Sequence, residues 1–396
     1  MKIAIWLEQD ASGGVSTHLI SLLESWPESN DEVVLFTNSK NPGLLEVSRI
    51  AEDLQFLRIV AIRRLSTNSL RRKVLEVFLL PLYLWWSGRK AKQTLISQGS
   101  FDVFLANEGG YPGSWPTLGA LRAAKDLGIL QRVLLVHHQA VQRLRLAAFV
   151  ESCVDKRVEN WATFVVSVSN ATRATLIERR SFDPARVPMH VVLNGTRNSL
   201  EADKTALRRS LRLENDKKLI GIVGRVEEYK GHDDLIQAVA KLPADLLDQI
   251  KLVIVGSIEA TRKREIEILV AELNMSENVL ITGFLNLSSQ DIVGGLDLLV
   301  SATRDFEGFG LTILEAMVVG TPVIATDVGG VSEFFDDRFG RLVSPMDVDE
   351  LANAICAVFK SPIETRLRVS SAKIRSREFT GTRTASELYK LLKPNN

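Results

Sequence analysis

The stretch Glu307-Gly-Phe-Gly-Leu-Thr-Ile-Leu-Glu315 places two carboxylates eight positions apart around a glycine-rich turn. Gly308 and Gly310 let the backbone turn tightly and approach a ligand closely. From Leu311 onward the pattern turns helical, so the glycine loop opens a helix. A helix start offers free N–H groups and the positive end of a dipole, both suited to phosphate. Glu315 falls about one turn inside that helix by the ~3.6-residue period, and Glu307 lies on the loop before it. Carboxylates accept hydrogen bonds and suit sugar and ribose hydroxyls. The stretch therefore reads as a site for a phosphorylated sugar, with one carboxylate on each side of the phosphate. Taken alone, it reads equally well as a solvated acidic loop before an ordinary helix.

The surroundings narrow the choice. The chain has 396 residues, 45% hydrophobic and 24% charged, which fits a soluble protein of about two domains. Its net charge is +1, so no bulk field recruits nucleic acid. Its two cysteines, Cys153 and Cys356, fall in separate halves, which argues against a disulfide framework or a zinc site. Met1-Lys-Ile-Ala-Ile-Trp-Leu7 reads as a first strand rather than a secretory leader, and the expected location is cytoplasmic. No run reaches the ~18–20 apolar residues of a membrane span. Val74 to Trp86 comes partway, with one charge in 13 residues and basic residues on both flanks. Residues 63–92 therefore suit either a core helix with solvated ends or a peripheral contact at the inner face of the cell membrane.

Each half repeats one rhythm. β-rich runs such as 2–7, 32–37, 103–106 and 132–136 alternate with helical stretches in the first half. After Asn194-Gly195 and a polar passage the rhythm restarts, with runs at 219–223, 251–255, 298–301 and 322–325. Such alternation predicts an α/β chain of two doubly wound parallel sheets, with a ligand cleft between them. The predicted domains are 1–198 and 199–375. A helix over about 376–396 is predicted to pack back on the first.

Four further motifs sit at predicted strand ends. Arg225 and Lys230 project from the loop after the strand ending at Val223, a fork and a mobile point charge for phosphate oxygens. Gly13-Gly14 opens a helix after the first strand, without the Gly-x-Gly-x-x-Gly pattern of a dinucleotide site. Val136-His137-His138-Gln139 ends an apolar strand and offers either histidine to a ligand or to the core. Thr326-Asp-Val-Gly-Gly330 makes another close-approach turn, with Glu333 just inside the next helix.

In this order and spacing the motifs resemble the GT4-type retaining glycosyltransferases of the GT-B fold. The resemblance also rests on Val192-Leu-Asn-Gly195 and on Gly320-Thr-Pro-Val-Ile-Ala-Thr-Asp-Val-Gly-Gly330, and it runs from the first strand to about Leu392. It implies two Rossmann-like domains facing across a cleft, with a nucleotide-sugar donor on the second. It assigns Glu315 to the donor ribose, Glu307 to donor-sugar hydroxyls, and Arg225 and Lys230 to the diphosphate. Backbone groups of Gly308, Phe309, Gly310, Leu311 and Thr312 would add donor contacts, and Gly14, beside Gly13, a further one. One of His137 and His138 would lie near the reacting sugar, His138 fitting the spacing slightly better. The implied reaction transfers a hexosyl group with retention to a glycan or lipid-linked acceptor. It needs no cofactor and no divalent metal, the cations serving instead. There are departures. Asn194-Gly-Thr-Arg197 replaces the usual linker motif, Gly256-Ser-Ile-Glu259 an acidic turn, and Ser301-Ala-Thr-Arg-Asp-Phe306 a Pro-Ser lead-in. They bear on base selectivity and the hinge, not on the phosphate and ribose positions. A nucleotide-sugar epimerase, or a non-catalytic nucleotide-sugar-binding subunit, would share much of this pattern.

Overall fold

The computed structural model describes residues 1–9, 13–39, 44–62, 79–197, 202–213 and 217–393. The chain divides into two compact units. Met1–Asn194 with Gly381–Asn396 form the first, and Gly195–Thr380 the second.

In the first unit the strands are β1 (Lys2–Leu7), β2 (Glu32–Asn38), β3 (Leu57–Ile62), β4 (Val103–Glu108), β5 (Gln131–Val136), β6 (Phe164–Ser167) and β7 (Met189–Val191). They form one sheet in the order β3-β2-β1-β4-β5-β6-β7, paired in parallel throughout. The second unit holds β8 (Lys218–Val223), β9 (Ile250–Val255), β10 (Val279–Gly283), β11 (Leu298–Ser301), β12 (Val323–Thr326) and β13 (Arg341–Val343). Their order is β10-β9-β8-β11-β12-β13, again parallel. Both are doubly wound sheets whose winding reverses once, beside β1 and β4 in one and beside β8 and β11 in the other. Ligands of such sheets bind beyond the carboxyl ends of the strands at that reversal. The central strands are apolar on both faces because helices cover both sides; Ile3, Ala4, Ile5, Val103, Phe104 and Leu105 are all fully buried.

The last helix, Gly381–Leu392, belongs to the first unit. Gly381 is needed there because a Cβ would stand 2.5 Å from Ser21 Oγ. Tyr389 meets Trp26 edge-on at 5.6 Å, and Thr384 donates to the Leu193 carbonyl at 2.8 Å.

Residues 63–78 of the apolar segment noted above lie outside the described residues. The helix Leu80–Ile96 carries the rest, and it is neither wholly core nor wholly surface. Leu80, Tyr83, Leu84, Gly88, Ala91 and Leu95 are buried. Ser87 and Gly88 press so closely on Gly119 of the helix Trp115–Asp126 that a Cβ on Gly88 would stand 2.9 Å from the Gly119 carbonyl. The opposite face is exposed. Among the described residues no helix is long and apolar enough to cross a membrane.

A buried ion cluster locks the first unit. The Arg180 guanidinium is fully buried and pairs with Glu151 at 2.8 Å and with Asp155 at 3.0 Å. Tyr111 donates to Asp155 at 2.8 Å, and Arg143 reaches the same carboxylate at 2.9 Å. Removing one partner of such a cluster strands the opposite charges. Arg180→Ala is therefore expected to cost the first unit about 3–5 kcal/mol. A urea midpoint within error of wild type would refute the cluster's importance.

Candidate functional site

At the reversal of the second sheet two loops meet. The loop after β8 begins at Gly224, which takes φ 147°, and runs through a short 3-10 turn, Glu228–Lys230. Gly231 follows at φ 70°, and a Cβ there would stand 1.8 Å from the Ala302 carbonyl. Only glycine lets this loop lie flat on the loop that leaves β11. Arg304 N–H donates to the Tyr229 carbonyl at 2.7 Å, closing the seam. The departure noted at Arg304 has a local partner, since its guanidinium forks onto Asp234 with two bonds of 2.7 Å.

This packing brings Lys230 and Glu307 together across 77 residues of sequence, Nζ to Oε2 at 2.6 Å. Burial alone would lower the Lys230 pKa. The Glu307 charge, Tyr229 and the hydrogen bond outweigh it, and the pKa ends above its ordinary value. Lys230 therefore stays cationic at neutral pH. Its partner keeps carboxylate lone pairs for other donors. Arg225 lies on the same loop, half exposed, with Glu227 as its ion-pair partner.

Gly310, at φ 97° and ψ 52°, caps the helix Leu311–Val319. The turn into the helix is made at Gly310, whose left-handed backbone favours glycine. Leu314 is the first residue whose N–H bonds back, to the Gly310 carbonyl at 3.1 Å. The N–H groups of Leu311 and Thr312 precede that ladder and face outward with the dipole's positive end. The Phe309 ring is buried and stacked on Phe334 at 4.5 Å, so the side chain anchors the loop and the backbone is what it can offer a ligand. Glu315, 3% exposed, accepts from Ser289 Oγ of the helix Ser289–Gly294.

The Gly329-Gly330 turn also has a different place from the one its motif suggested. Gly329 takes φ 59°. A Cβ on it would stand 2.1 Å from the Glu307 carbonyl oxygen, and Gly330 N–H donates to that oxygen at 2.8 Å. The close approach is therefore to the backbone of Glu307, which it holds in place. Glu333 ends the 3-10 turn Val331–Glu333.

His232 was not singled out in the sequence. It opens the helix His232–Ala240, is buried, and its pKa falls to about 3 through burial first and then the charges of Arg262 and Lys230. It is a neutral ring beneath the cationic loop.

In the first unit the reversal gathers a second polar group. Asn107 and Glu108 end β4, and His137 follows β5. The His137 Nε2 lies 2.7 Å from Asn107 Oδ1. His18, from the helix Gly14–Glu24, meets the His137 ring edge-on at 4.5 Å. Burial lowers both imidazoles, with His18 adding to the effect on His137. Burial likewise raises the Glu108 carboxyl well above its usual range, against a bond from Ser114 N–H. Of the two candidate histidines, His137 is buried in this cluster and His138 is only partly buried. Nothing local in the sequence marks His18 or Asn107; His18 shares the buried face of its helix with Ser16, Ser21 and the leucines. Gly13 has extended backbone with no atom within 4 Å of a Cβ, and Gly14 begins the helix. Residues 10–12, just before these glycines, lie outside the described residues.

Acid should weaken this cluster. His18 sits at about 4 against an ordinary 6.5, so on acidification the unfolded chain takes the proton first. Its contribution is complete above pH 6.5 and is lost as pH falls toward 4, a change of about 3 kcal/mol. Urea titrations of wild type and His18→Gln at pH 7 and pH 5 will test this. Equal pH slopes in the two proteins would contradict it.

Comparison with known proteins bears on both units. Residues 203–375 match the family model of the group 1 glycosyl transferases, and residues 12–197 that of glycosyltransferase family 4. A lipopolysaccharide core biosynthesis mannosyltransferase of Rhizobium meliloti is 30% identical over 63% of this chain and 71% of its own length. A D-inositol 3-phosphate glycosyltransferase of Stackebrandtia nassauensis is 29% identical over 63% of this chain, and the match spans 59% of that relative. Among solved structures, Anabaena HepE in complex with UDP and glucose superposes with a TM-score of 0.75 at 20% identity, covering 99% of both chains. A sucrose-phosphate synthase of Thermosynechococcus elongatus reaches 0.78 at 22% identity, covering 98% of both.

Proposed function

We propose, since this chain belongs to the family 4, or group 1, glycosyltransferases, that it moves a hexosyl group from a nucleotide-sugar donor to a glycan or lipid-linked acceptor with retention of configuration. The observation that carries this reading is the Lys230–Glu307 pair at 2.6 Å, set at the sheet reversal beside the N-terminus of the helix Leu311–Val319. Lys230 and Arg225 neutralise the diphosphate and stabilise it as it leaves. The Leu311 and Thr312 N–H groups add fixed donors to the same charge. Glu307 orients Lys230 and accepts from hydroxyls of the transferred sugar. Glu315, held by Ser289, accepts from the ribose.

No side chain here need act as a nucleophile. Same-face attack, with the leaving phosphate taking the acceptor proton, asks the protein for position and charge. Arg225 and Lys230 supply cationic charge in place of a divalent ion, so a chelator should leave turnover unchanged. The first unit supplies the acceptor side, with His137 and His138 as its candidates near the reacting sugar. The lipopolysaccharide-core relative supports a cell-surface glycan as the product. Peripheral contact with the inner face of the cell membrane belongs to the same reading.

A thermal-shift screen of UDP, GDP and ADP sugars tests the donor assignment, because a bound donor raises the melting temperature by mass action. Turnover with and without acceptor then separates transfer from epimerisation, and the anomeric configuration of the product tests retention. Donor binding with no turnover across a broad acceptor panel would replace this reading with a non-catalytic subunit.

A further inference from the structure

The first unit displays apolar side chains in water on two helices that pack against each other, Leu80–Ile96 and Ala148–Trp161. On the first, Leu82 is exposed, and Trp85 and Trp86 are 45% and 38% exposed. Arg89 lies over the Trp85 ring at 5.7 Å and Lys90 over the Trp86 ring at 4.4 Å. At the start of the second, Leu144 is exposed, Leu146 is 94% exposed and Phe149 is 82% exposed. Apolar patches of this kind in a folded protein mark an interaction surface.

The approach to Phe149 is pinned from beneath. Arg143 pairs with buried Asp155 at 2.9 Å, and Arg179 donates to Gln139 and to the Ala140 carbonyl at 2.5 and 3.2 Å. Val141 N–H donates to the Tyr111 carbonyl at 2.8 Å. Arg143 is thus tied inward, while Leu144, Leu146 and Phe149 are exposed.

The charge pattern identifies the partner. The helix Leu80–Ile96 contains Arg89, Lys90 and Lys92 and no acid. In the helix Ala148–Trp161 all three acids, Glu151, Asp155 and Glu159, are buried, whereas Lys156 and Arg157 are exposed. Arg145 is exposed between the leucines. Neither helix exposes an acidic side chain: beside the apolar groups and cations only neutral polar residues such as Gln93 and Asn160 meet water. A second copy of the chain would set like charges against one another. An anionic bilayer takes each group where it is stable: tryptophan rings at the headgroup level, leucine and phenylalanine below, arginine and lysine on the phosphates.

We infer that the first unit docks on an anionic lipid bilayer through Leu82, Trp85 and Trp86 on one helix and Leu144, Leu146 and Phe149 at the other. This rests on the peripheral-contact part of the reading above and names its surface, including a second strip outside residues 63–92.

The test is flotation of the full chain, at low salt, with vesicles of phosphatidylcholine alone and with added phosphatidylglycerol. Binding is expected only to the anionic vesicles, with a blue shift of tryptophan emission. Trp85→Ser with Trp86→Ser, and separately Leu146→Ser with Phe149→Ser, should each cut binding markedly. Arg89→Glu with Lys90→Glu should weaken it by at least about tenfold and flatten its salt dependence. Hydrolysis of a soluble donor should be the same in all of them, so a docking failure is distinguishable from a failure of the glycosyltransferase reading. Equal binding to neutral vesicles, no binding, or binding unaffected by all three pairs would overturn the inference. A silent Leu146/Phe149 pair alone would remove the second strip. A dimer that the same substitutions dissociate would make the surface a self-interface and overturn the lipid assignment.

Discussion

Lys230→Ala will lower turnover with the preferred donor by about 10²- to 10³-fold while the chain stays folded, the range for losing a preorganised group opposite developing charge. The cation is held at 2.6 Å by Glu307, and the two stand on loops from adjacent strands, β8 and β11. Lys230 is therefore placed before any donor arrives. Lys230→Arg should recover part of the rate, since it keeps the charge but presents a fork where a point charge fits. Glu315→Ala should act differently. It removes a buried acceptor that holds Ser289, so donor affinity should fall together with rate. Circular dichroism and thermal melts verify folding in each variant. Unchanged transfer by both alanine variants would sink the site assignment.

Gly329→Ala is expected to lower turnover by roughly 10²-fold although Gly329 touches no reacting atom. An alanine Cβ would stand 2.1 Å from the Glu307 carbonyl oxygen and 2.8 Å from its nitrogen. The backbone of Glu307 has to move, and a ~1 Å misplacement at a reacting centre can cost about 10²-fold. Left-handed strain at φ 59° adds about 1–2 kcal/mol of destabilisation. Gly283→Ala is the control. Gly283 takes φ 69°, with no atom within 4 Å of a Cβ, so it bears the strain without the collision. Loss of activity at Gly329 but not at Gly283 would show that position, not stability, is lost. Equal effects at the two glycines would remove the positioning argument.

Much of this site was readable from residue order. Gly310 and the helix behind it follow from local rules: a glycine where φ must be positive, then an apolar helical period. Arg225 and Lys230 were legible as a loop at a strand end. Their partners were not. Lys230 and Glu307 are 77 residues apart, and nothing within either loop announces the other. Phe309 read as part of a ligand loop, yet its ring packs on Phe334. The Gly329-Gly330 turn read as an approach to ligand, yet it grips the Glu307 backbone. In each case the local conformation was as the residues dictate, and the object approached was a tertiary matter.

The same division holds for the whole protein. Strand–helix alternation specifies two parallel α/β sheets without any coordinates, and the order and spacing of the motifs, Glu307 and Glu315 among them, carry the glycosyltransferase resemblance. Backbone propensity and hydrophobic period act over a few residues, so they are written in the chain itself. Which charges meet, which histidine is buried against His18, and which apolar side chains of the helix Leu80–Ile96 face water depend on strand order and helix packing. Those contacts join residues that sequence distance leaves unrelated, so only the folded sheets select them.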